Sequence, residues 1–326
     1  MEHGRRNKEK TSRCEVYPVN LVVTGGLGFI AKHFIRYALG MGHSVVNIDT
    51  ETYAADKSVV LTGAYKYIWS NINNLRALPE HDILINFAAE SHVDRSIADS
   101  TDFIHTNVNG VHHLLSLNPK RFIQISTDEV YGSVEAGSFD EHAKLNPCNP
   151  YSATKACADL IIKAHANTYG LNYNIVRPTN NYGCGQYPEK LIPLTLKLLR
   201  EGRKATVHGD GSYIRMWLHV EDAVRGIWTV VEKGRPGEIY NIAGIEKSNL
   251  EIIQSLCRMA DGTYEFVENR KGQDSRYSVS DWNLRDLGWT PIHAFNLEEI
   301  YEDRTPWGRA SGQAVYRDVQ ETHYGT

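Results

Sequence analysis

Short apolar runs alternate with helical patterns along the first 180 residues of the chain. Apolar and β-branched runs predict strands at residues 20–24, 44–48, 66–69, 82–87, 121–125 and 173–176. Apolar residues at helical spacing predict helices between several of them, at residues 29–39, 101–117 and 152–169. Strands that alternate with helices indicate an α/β fold with a doubly wound parallel sheet.

The pattern changes after residue 178, where the strands become shorter and the helices more amphipathic. Helices are predicted at residues 189–201, 220–232 and 250–260, and strands at residues 205–207 and 238–242. Residues 269–277 form a polar loop that carries arginines. This half of the chain therefore predicts a smaller lobe beside the parallel sheet.

Composition excludes several classes of partner. The chain has 326 residues and a net charge of −4, which gives no reason to expect a nucleic acid or an anionic membrane. No apolar run reaches the roughly 18 residues that a membrane helix needs. The five cysteines form no CxxC pair, so we expect neither disulfides nor zinc, and a reducing cytosol. No metal site is predicted at His105, His112 and His113, because no nearby carboxylate or thiol completes a set.

A glycine-rich turn follows the first predicted strand. Gly25, Gly26 and Gly28 allow backbone N–H groups to approach a pyrophosphate at the positive end of a helix starting near Phe29. Asp49 ends the second strand, 21 residues beyond Gly28, where it can accept hydrogen bonds from a ribose and repel a 2'-phosphate. The pattern predicts a Rossmann-like site for NAD rather than NADP. The alternative is a plain turn followed by an aspartate that caps a loop.

Residues with acid–base chemistry follow the strand at 121–125. Asp128 and Glu129 are adjacent carboxylates, and a site that buries one of them more deeply provides an acid and a base at the same pH. Tyr151 and Lys155 share one helix face, so the ammonium is expected to lower the pKa of the phenol. Thr127 can add a hydroxyl hydrogen bond. The alternatives are solvent-facing acids at a strand exit and an exposed Tyr and Lys at a helix start.

Seven motifs together closely resemble a known family. They lie within roughly residues 21–291, at 24–30, 88–96, 126–132, 151–155, 180–183, 188–193 and 217–222. In them the chain resembles the nucleoside-diphosphate-glucose 4,6-dehydratases of the extended short-chain dehydrogenase/reductase superfamily, with the dTDP-glucose enzymes nearest. The resemblance implies an NAD-dependent hydro-lyase of deoxysugar biosynthesis, cytoplasmic and homodimeric, with a nucleotide sugar as its substrate.

The resemblance also assigns a role to each catalytic residue. Tyr151 would take the proton of the sugar 4-hydroxyl while hydride passes to NAD, with Thr127 steadying the oxygen and Lys155 holding Tyr151 and the nicotinamide ribose. Glu129 would then remove the C5 proton and Asp128 would protonate the departing C6 hydroxyl. The hydride returns to C6, which yields a 4-keto-6-deoxy sugar and regenerates NAD.

Two further groups of residues are carried over by the resemblance. Those around NAD would be Gly25, Gly28, Phe29, Ile30, Asp49, Thr52, Asn71, Ile72, Ala88, Ala89, Ser91, Thr106, Tyr151, Lys155 and Asn181. Those around the nucleotide sugar would be His92, Thr127, Asn180, Lys190, Leu191, His208, Arg215, Asn241, Arg270, Gln273 and Asp274. The chain departs from the common family pattern at Asn71, Met216 and Gln273. These departures leave the base and the hexose of the substrate open.

The predicted organisation has four parts. These are a disordered basic tail at 1–15, an NAD-binding Rossmann domain at 16–182 with later returns near 219–245, a mainly substrate-binding lobe at 183–302, and a polar tail or arm at 303–326. Alternatives on the same scaffold are a sugar-nucleotide 4-epimerase, a decarboxylase, or a dehydratase acting on an N-acetylhexosamine. A non-catalytic NAD-binding protein is a further alternative. The adjacent acids Asp128 and Glu129 favour a dehydratase over an epimerase, which needs no such pair.

Overall fold

The structure is a computed structural model that describes residues 18–58, 61–269 and 272–302. The predicted tails at 1–15 and 303–326 lie outside the described residues, and so does Arg270. The strands within the described part are β1 Asn20–Thr24, β2 Ser44–Asp49, β3 Tyr65–Trp69, β4 Ile83–Asn86, β5 Phe122–Ile125, β6 Tyr173–Pro178, β7 Asn180–Tyr182, β8 Ala205–His208, β9 Ile214–His219, β10 Ile239–Ile242, β11 Ile245–Ser248 and β12 Tyr264–Val267.

Seven strands form one sheet in the order β10-β6-β5-β4-β1-β2-β3, and every neighbouring pair is parallel. Val22 of β1, for example, lies between Val46 of β2 and Leu84 of β4. The strand order reverses where β1 meets β4, and ligands of such sheets bind outside the carboxyl ends of the strands at this point. The predicted doubly wound parallel sheet is confirmed.

The helices cover both faces of this sheet. They are α1 Phe29–Gly40, α2 Val93–Ala98, α3 Thr101–Phe103, α4 Val111–Ser116, α5 Pro150–Tyr169, α6 Leu191–Arg200, α7 Val220–Lys233, α8 Asn249–Met259, α9 Trp282–Asp286 and α10 Glu298–Glu302. Phe34 of α1 and Ile227 of α7 belong to one core, while Leu114 of α4 and Ile162 of α5 belong to the core on the other face. Because both faces are covered, β4 is buried along its whole length.

The predicted helix at 101–117 is the main difference in secondary structure. A π-helical segment, Ile104–Gly110, separates α3 from α4, so the helical pattern is correct but its winding is not uniform. Within this segment Asn107 donates to the Thr154 hydroxyl and to the Glu90 carbonyl. Such wide turns occur often near functional sites. None of the described helices is both long and apolar enough to cross a membrane.

A second layer of structure lies beside the parallel sheet. It contains the sheet β11-β9-β7 and the strand pair β12-β8, packed with α6 and α8. Ile192 of α6 and Ile252 of α8 share a core with Trp217 of β9. The chain enters this lobe after β6, returns to the main sheet for α7 and β10, and then enters the lobe again. The predicted domain boundaries stay a prediction.

Candidate active site

A cavity of about 680 Å³ opens at the carboxyl ends of the parallel strands and extends to the lobe. Every residue predicted around the cofactor lines it, from Gly25 in the turn after β1 to Asn181 in β7. The predicted residues Thr127, Glu129, Asn180, Lys190, Leu191, His92, His208, Arg215, Gln273 and Asp274 also line it. Residues far apart in the sequence therefore meet in one space.

The glycine-rich turn brings the backbone of β1 against the chain that follows β4. Gly25 has φ +71°, and a Cβ atom there would lie 2.6 Å from the backbone of Ala88. Gly28 then caps α1, whose first N–H groups face the same cavity wall. Only glycine fits at position 25, and the turn leads directly into the start of α1, where the N–H groups of a helix suit a pyrophosphate.

Asp49 lies at the end of β2 and supports this turn. Its carboxylate accepts the Leu27 N–H at 2.9 Å and the Glu51 N–H at 2.8 Å. Burial raises the pKa of Asp49 above its ordinary value, although these hydrogen bonds oppose the shift. The side chain also lines the cavity. Its predicted role toward a ribose stays a prediction, and its support of the turn was not expected.

The start of α5 places Tyr151 and Lys155. Asn149 and Ser152 form a reciprocal capping box, with Pro150 in the first turn. The Lys155 ammonium donates to the Ile125 carbonyl at 2.6 Å, and burial lowers its pKa to about 8.

The expected lowering of the pKa of Tyr151 by Lys155 is wrong in this arrangement. Burial and the Glu129 carboxylate raise that pKa well above its ordinary value, although a hydrogen bond with the Thr127 hydroxyl favours the phenolate. The physical reason lies in the direction of the lysine. Its ammonium turns to the end of β5 rather than toward the phenol.

The adjacent acids occupy different environments. Asp128 is 2% exposed, and burial together with the Glu129 carboxylate raises its pKa to about 8. Its Oδ1 accepts the Thr127 hydroxyl at 3.2 Å. Glu129 faces the cavity, and its pKa is also raised by burial, but Arg215 and Asn149 oppose that shift. Asp128 is therefore protonated at neutral pH, and Glu129 is the member of the pair that faces the cavity.

Arg215 organises the lobe side of the cavity. One guanidinium nitrogen donates to the Asp274 carbonyl at 2.9 Å, and the guanidinium carbon lies 4.3 Å from the centre of the Tyr277 ring. The Tyr277 hydroxyl in turn donates to the Asp274 carboxylate. Tyr277 lines the cavity but was not among the predicted residues. Its position at the end of the polar loop 269–277 was the available signal.

Two predicted residues do not reach the cavity wall. Asn241 is fully buried, and its amide accepts the Tyr131 hydroxyl at 2.9 Å and donates to the Ser280 carbonyl at 3.1 Å. These contacts engage both ends of the amide inside the core, so we withdraw Asn241 from the substrate residues. Asp128 lies directly behind the wall, within reach of Thr127.

Of the three histidines considered in the sequence, His113 is engaged by a backbone carbonyl. His113 Nε2 lies 2.8 Å from the Leu75 carbonyl oxygen. Within the described residues, His219, Glu221 and His293 form a different cluster with possible ligand atoms within 4.8 Å of one another. However, His219 Nδ1 accepts the Glu221 N–H as the cap of α7. A neutral imidazole that accepts at Nδ1 carries its proton at Nε2, so this arrangement favours a cap over a metal ligand.

Comparison with known proteins gives a consistent result. The model of the NAD dependent epimerase/dehydratase family matches residues 21–243. A dTDP-glucose 4,6-dehydratase from Streptomyces griseus is 42% identical over 292 residues, which cover 83% of this chain and 89% of that protein. The low-salt glycan biosynthesis protein Agl12 of Haloferax volcanii is 41% identical over 295 residues, covering 85% of this chain and 95% of Agl12.

A solved structure extends the similarity to three dimensions. DesIV of Streptomyces venezuelae, a dTDP-glucose 4,6-dehydratase crystallised with NAD, has a TM-score of 0.83 to this chain and is 39% identical. The match covers 86% of this chain and 94% of DesIV. The shared structure therefore includes both the parallel sheet and the lobe.

Proposed function

This chain belongs to the NAD-dependent epimerase/dehydratase family, and we propose that it is a nucleoside-diphosphate-hexose 4,6-dehydratase. Its substrate would be dTDP-glucose or UDP-glucose, and its product the corresponding 4-keto-6-deoxy sugar. The observation that carries this proposal is the pair of adjacent acids beside Tyr151, in which Asp128 is buried and Glu129 is partly buried and faces the cavity. It is an NAD-dependent lyase that removes one water molecule from its substrate.

The cavity has the features that NAD requires. The pyrophosphate would lie at the start of α1, where Phe29 and Ile30 line the cavity, and Asp49 offers carboxylate oxygens for the adenosine ribose. Asn71 and Ile72 would lie at the adenine, and Thr106 and Lys155 toward the nicotinamide side. When bound, NAD accepts a hydride from sugar C4 and later returns it to C6.

The first step is the removal of the 4-hydroxyl proton. Tyr151 takes this proton in our proposal, and the Thr127 hydroxyl orients the same oxygen. The phenol is protonated at rest, because burial and the Glu129 carboxylate raise its pKa. Its ionisation during the reaction must therefore be favoured by groups that contact the phenol, and the hydrogen bond with the Thr127 hydroxyl acts in that direction.

Elimination then uses the two carboxyl groups. The ketone at C4 makes the C5 hydrogen acidic, and Glu129 removes this proton. The electron pair forms the C5–C6 double bond and the C6–O bond breaks. Asp128 lies behind the cavity wall, so its proton would pass to the Thr127 hydroxyl as that hydroxyl gives its own proton to the leaving group, and water forms. Asp128 can do this at neutral pH because its pKa is raised to about 8.

The lobe side provides groups for the nucleoside diphosphate. Arg215 and Lys190 supply positive charge at the cavity, and a guanidinium fork suits diphosphate oxygens. Asn180, Leu191, His208, Gln273 and Asp274 share that wall, together with His92 near the catalytic end. We propose this wall as the site of the nucleoside diphosphate.

An epimerase on the same scaffold would need only the oxidation and its reversal. A protonated aspartic acid behind a basic glutamate has no part in that chemistry, whereas elimination requires both. The acid pair therefore supports dehydration over epimerisation and over a non-catalytic role.

We also propose that the enzyme is a cytoplasmic homodimer. Cys148, Cys157 and Cys257 carry free thiols, which suits the reducing cytosol. Ile97 of α2, Ile104 of the π-helical segment and Leu160 of α5 are exposed on neighbouring helices, where a second copy could cover them. Light scattering coupled to gel filtration gives the mass in solution. A monomer at micromolar concentration would contradict the dimer.

The decisive experiment follows the loss of water. Purified protein is incubated separately with dTDP-glucose, UDP-glucose and UDP-N-acetylglucosamine, and each nucleotide sugar is examined by mass spectrometry. Dehydration of one of them establishes the reaction and identifies the nucleotide. If all three stay intact while NAD is bound, the dehydratase proposal is wrong, and Met216 and Gln273 become the positions at which to look for another substrate.

A further inference from the structure

A buried lysine lies beneath the cofactor turn, outside every group of residues discussed so far. Lys32 is in the first turns of α1 and is 2% exposed. Its ammonium donates to the Asp56 carboxylate at 2.7 Å and to the Gly185 carbonyl at 2.7 Å. Burying an ammonium group is costly unless it is paired, so these contacts are part of what holds it inside.

The Asp56 end of this network is attached to the cofactor turn. The Asp56 N–H donates to the Leu27 carbonyl at 2.9 Å, and the Leu27 N–H donates to Asp49. Burial disfavours the charged form of Asp56, yet its pKa lies below the ordinary value because the Lys32 ammonium and Ser58 stabilise the carboxylate. The loop after β2 is thus fastened to the glycine-rich turn that precedes α1.

The other end of the network lies in the loop after β7, which leads to Lys190 and the lobe. Gly185 has φ +75°, and a Cβ atom there would lie 2.5 Å from the Lys32 ammonium nitrogen. Any other residue at this position would both strain the backbone and displace the ammonium. The neighbouring Cys184 carbonyl lies 3.1 Å from His33 Nε2, also on α1.

The two loops meet again at the mouth of the cavity. The Tyr53 hydroxyl donates to the Glu189 carboxylate at 3.1 Å, and the Tyr53 and Tyr187 rings touch edge to face at 5.4 Å. The Arg95 guanidinium carbon lies 3.7 Å from the centre of the Tyr53 ring. Thr52 and Ala55 from one loop and Gln186 and Tyr187 from the other line the cavity between these contacts.

We propose that Lys32 is a positioning residue that fastens the loop after β2 to the loop after β7, and so controls how long NAD stays bound. The loop after β7, which leads to the lobe, is thereby held in a fixed position relative to the glycine-rich turn. A cofactor that is regenerated in each turnover does not need to dissociate. Fastening the two loops across its site therefore does not slow turnover. The effect on the nucleotide sugar rests on the proposed function, whereas the effect on NAD does not.

The test compares NAD retention in Lys32→Met and Asp56→Asn with the unmodified holoprotein. Each protein is passed through gel filtration, and the NAD that remains bound is measured together with its rate of release. We expect release to be about tenfold faster in both variants, which corresponds to about 1.4 kcal/mol. Lys32→Arg keeps the positive charge and should recover part of the retention. Added NAD should raise the turnover of Lys32→Met, but not that of the unmodified protein.

Lys57→Met is the matched control, because Lys57 lies next to Asp56 and its ammonium pairs with Glu51 on the surface. Its NAD retention should equal that of the unmodified protein. Asp56 is on a loop and partly exposed, so Asp56→Asn keeps the test decisive if Lys32→Met does not fold. Unchanged NAD release in a folded Asp56→Asn protein would overturn the inference. Faster release without dehydration of any sugar would instead contradict only the proposed function.

Discussion

The two ends of the cavity, at the glycine-rich turn after β1 and behind β5, differ in the chemical groups that form them. At the turn after β1 the close contacts are between backbone atoms, as where Gly25 meets Ala88. Behind β5 the site consists of ionisable side chains, and Asp128, Tyr151 and Lys155 are all buried there. Burial brings the pKa of Asp128 up to about 8 and that of Lys155 down to about 8.

This difference separates holding a cofactor from performing proton transfer. Backbone N–H groups have no proton to lose near neutral pH, so the strength of cofactor binding at the start of α1 depends on the shape of the turn. Buried carboxyl and ammonium groups are destabilised in their charged forms, which makes their proton affinities useful for catalysis but costly for the fold. Changes at one end should therefore alter rates and pH dependence, and changes at the other should alter NAD occupancy.

The largest expected effect is that of Tyr151→Phe. This change removes the hydroxyl that takes the first proton, so turnover should fall by about 10⁴-fold. No bound NADH should form when the substrate is added, because oxidation is blocked, while NAD content stays normal. The measurement is mass spectrometry of the sugar combined with near-ultraviolet absorbance of the protein. Formation of NADH at the normal rate would contradict the role given to Tyr151.

Glu129→Gln should slow product formation by about 10³-fold while leaving the oxidation step active. The amide cannot remove the C5 proton, so NADH should accumulate on the protein after substrate is added. Rapid-mixing absorbance follows that accumulation. Asp140 is exposed and lies outside the cavity, so Asp140→Asn serves as a control for the loss of a carboxylate. Unimpaired product formation by the Glu129 variant would remove this residue from the mechanism.

Asp128→Asn should slow product formation by about 10²-fold, because the amide cannot protonate the leaving hydroxyl. In the unmodified protein, the rate should fall as pH rises through about 8, where Asp128 loses its proton.

The free energy of unfolding should also depend on pH through the Asp128 carboxyl group. Its pKa is 3.8 in the unfolded chain and about 8 in the fold, so its favourable contribution is complete below pH 3.8 and is lost as pH rises toward 8. Urea unfolding at pH 5 and pH 8 should show the Asn variant gaining relative stability at the higher pH. An equal difference at both pH values would contradict the buried acid.

The smallest expected effect is at the other end of the cavity. Gly25→Ala places a Cβ atom against the Ala88 backbone, so NAD should bind about tenfold more weakly. With NAD in excess, the pH profile of the remaining activity should match that of the unmodified protein. Calorimetric titration measures the binding. A shifted pH profile would show that the turn also affects proton transfer. The separation between cofactor binding at one end and proton transfer at the other would then be wrong.

The sequence predicts the sheet well because its signals are local. Apolar runs at β1, β4 and β5 follow from burial on both faces, and the order of strands and helices then limits the topology. The turn at Gly25 is also a local signal. The winding of Ile104–Gly110 is not, since apolar spacing alone does not distinguish α from π geometry over seven residues.

The site is less predictable where the direction of a side chain decides its role. Lys155 and Tyr151 share a helix face, yet the lysine turns to the Ile125 carbonyl. Asn241 lies on β10, next to β6, but its amide points into a buried network. Lys32 has the sequence context of an ordinary exposed helix residue. Each of these outcomes depends on the groups that surround the residue in the folded chain. Sequence spacing alone does not predict those surroundings.

The position of β10 has a consequence for the order in which the protein is made. β6 carries Pro178 to the edge of the active site, but its outer neighbour β10 is translated only after β7, α6, β8, β9 and α7. Until then, a nascent chain that has assembled β1 to β6 exposes the unpaired edge of β6. Such an edge is a place where another nascent chain can pair. Ribosome pausing before β10 has emerged should therefore favour aggregation, and pausing after β10 has emerged and paired with β6 should not.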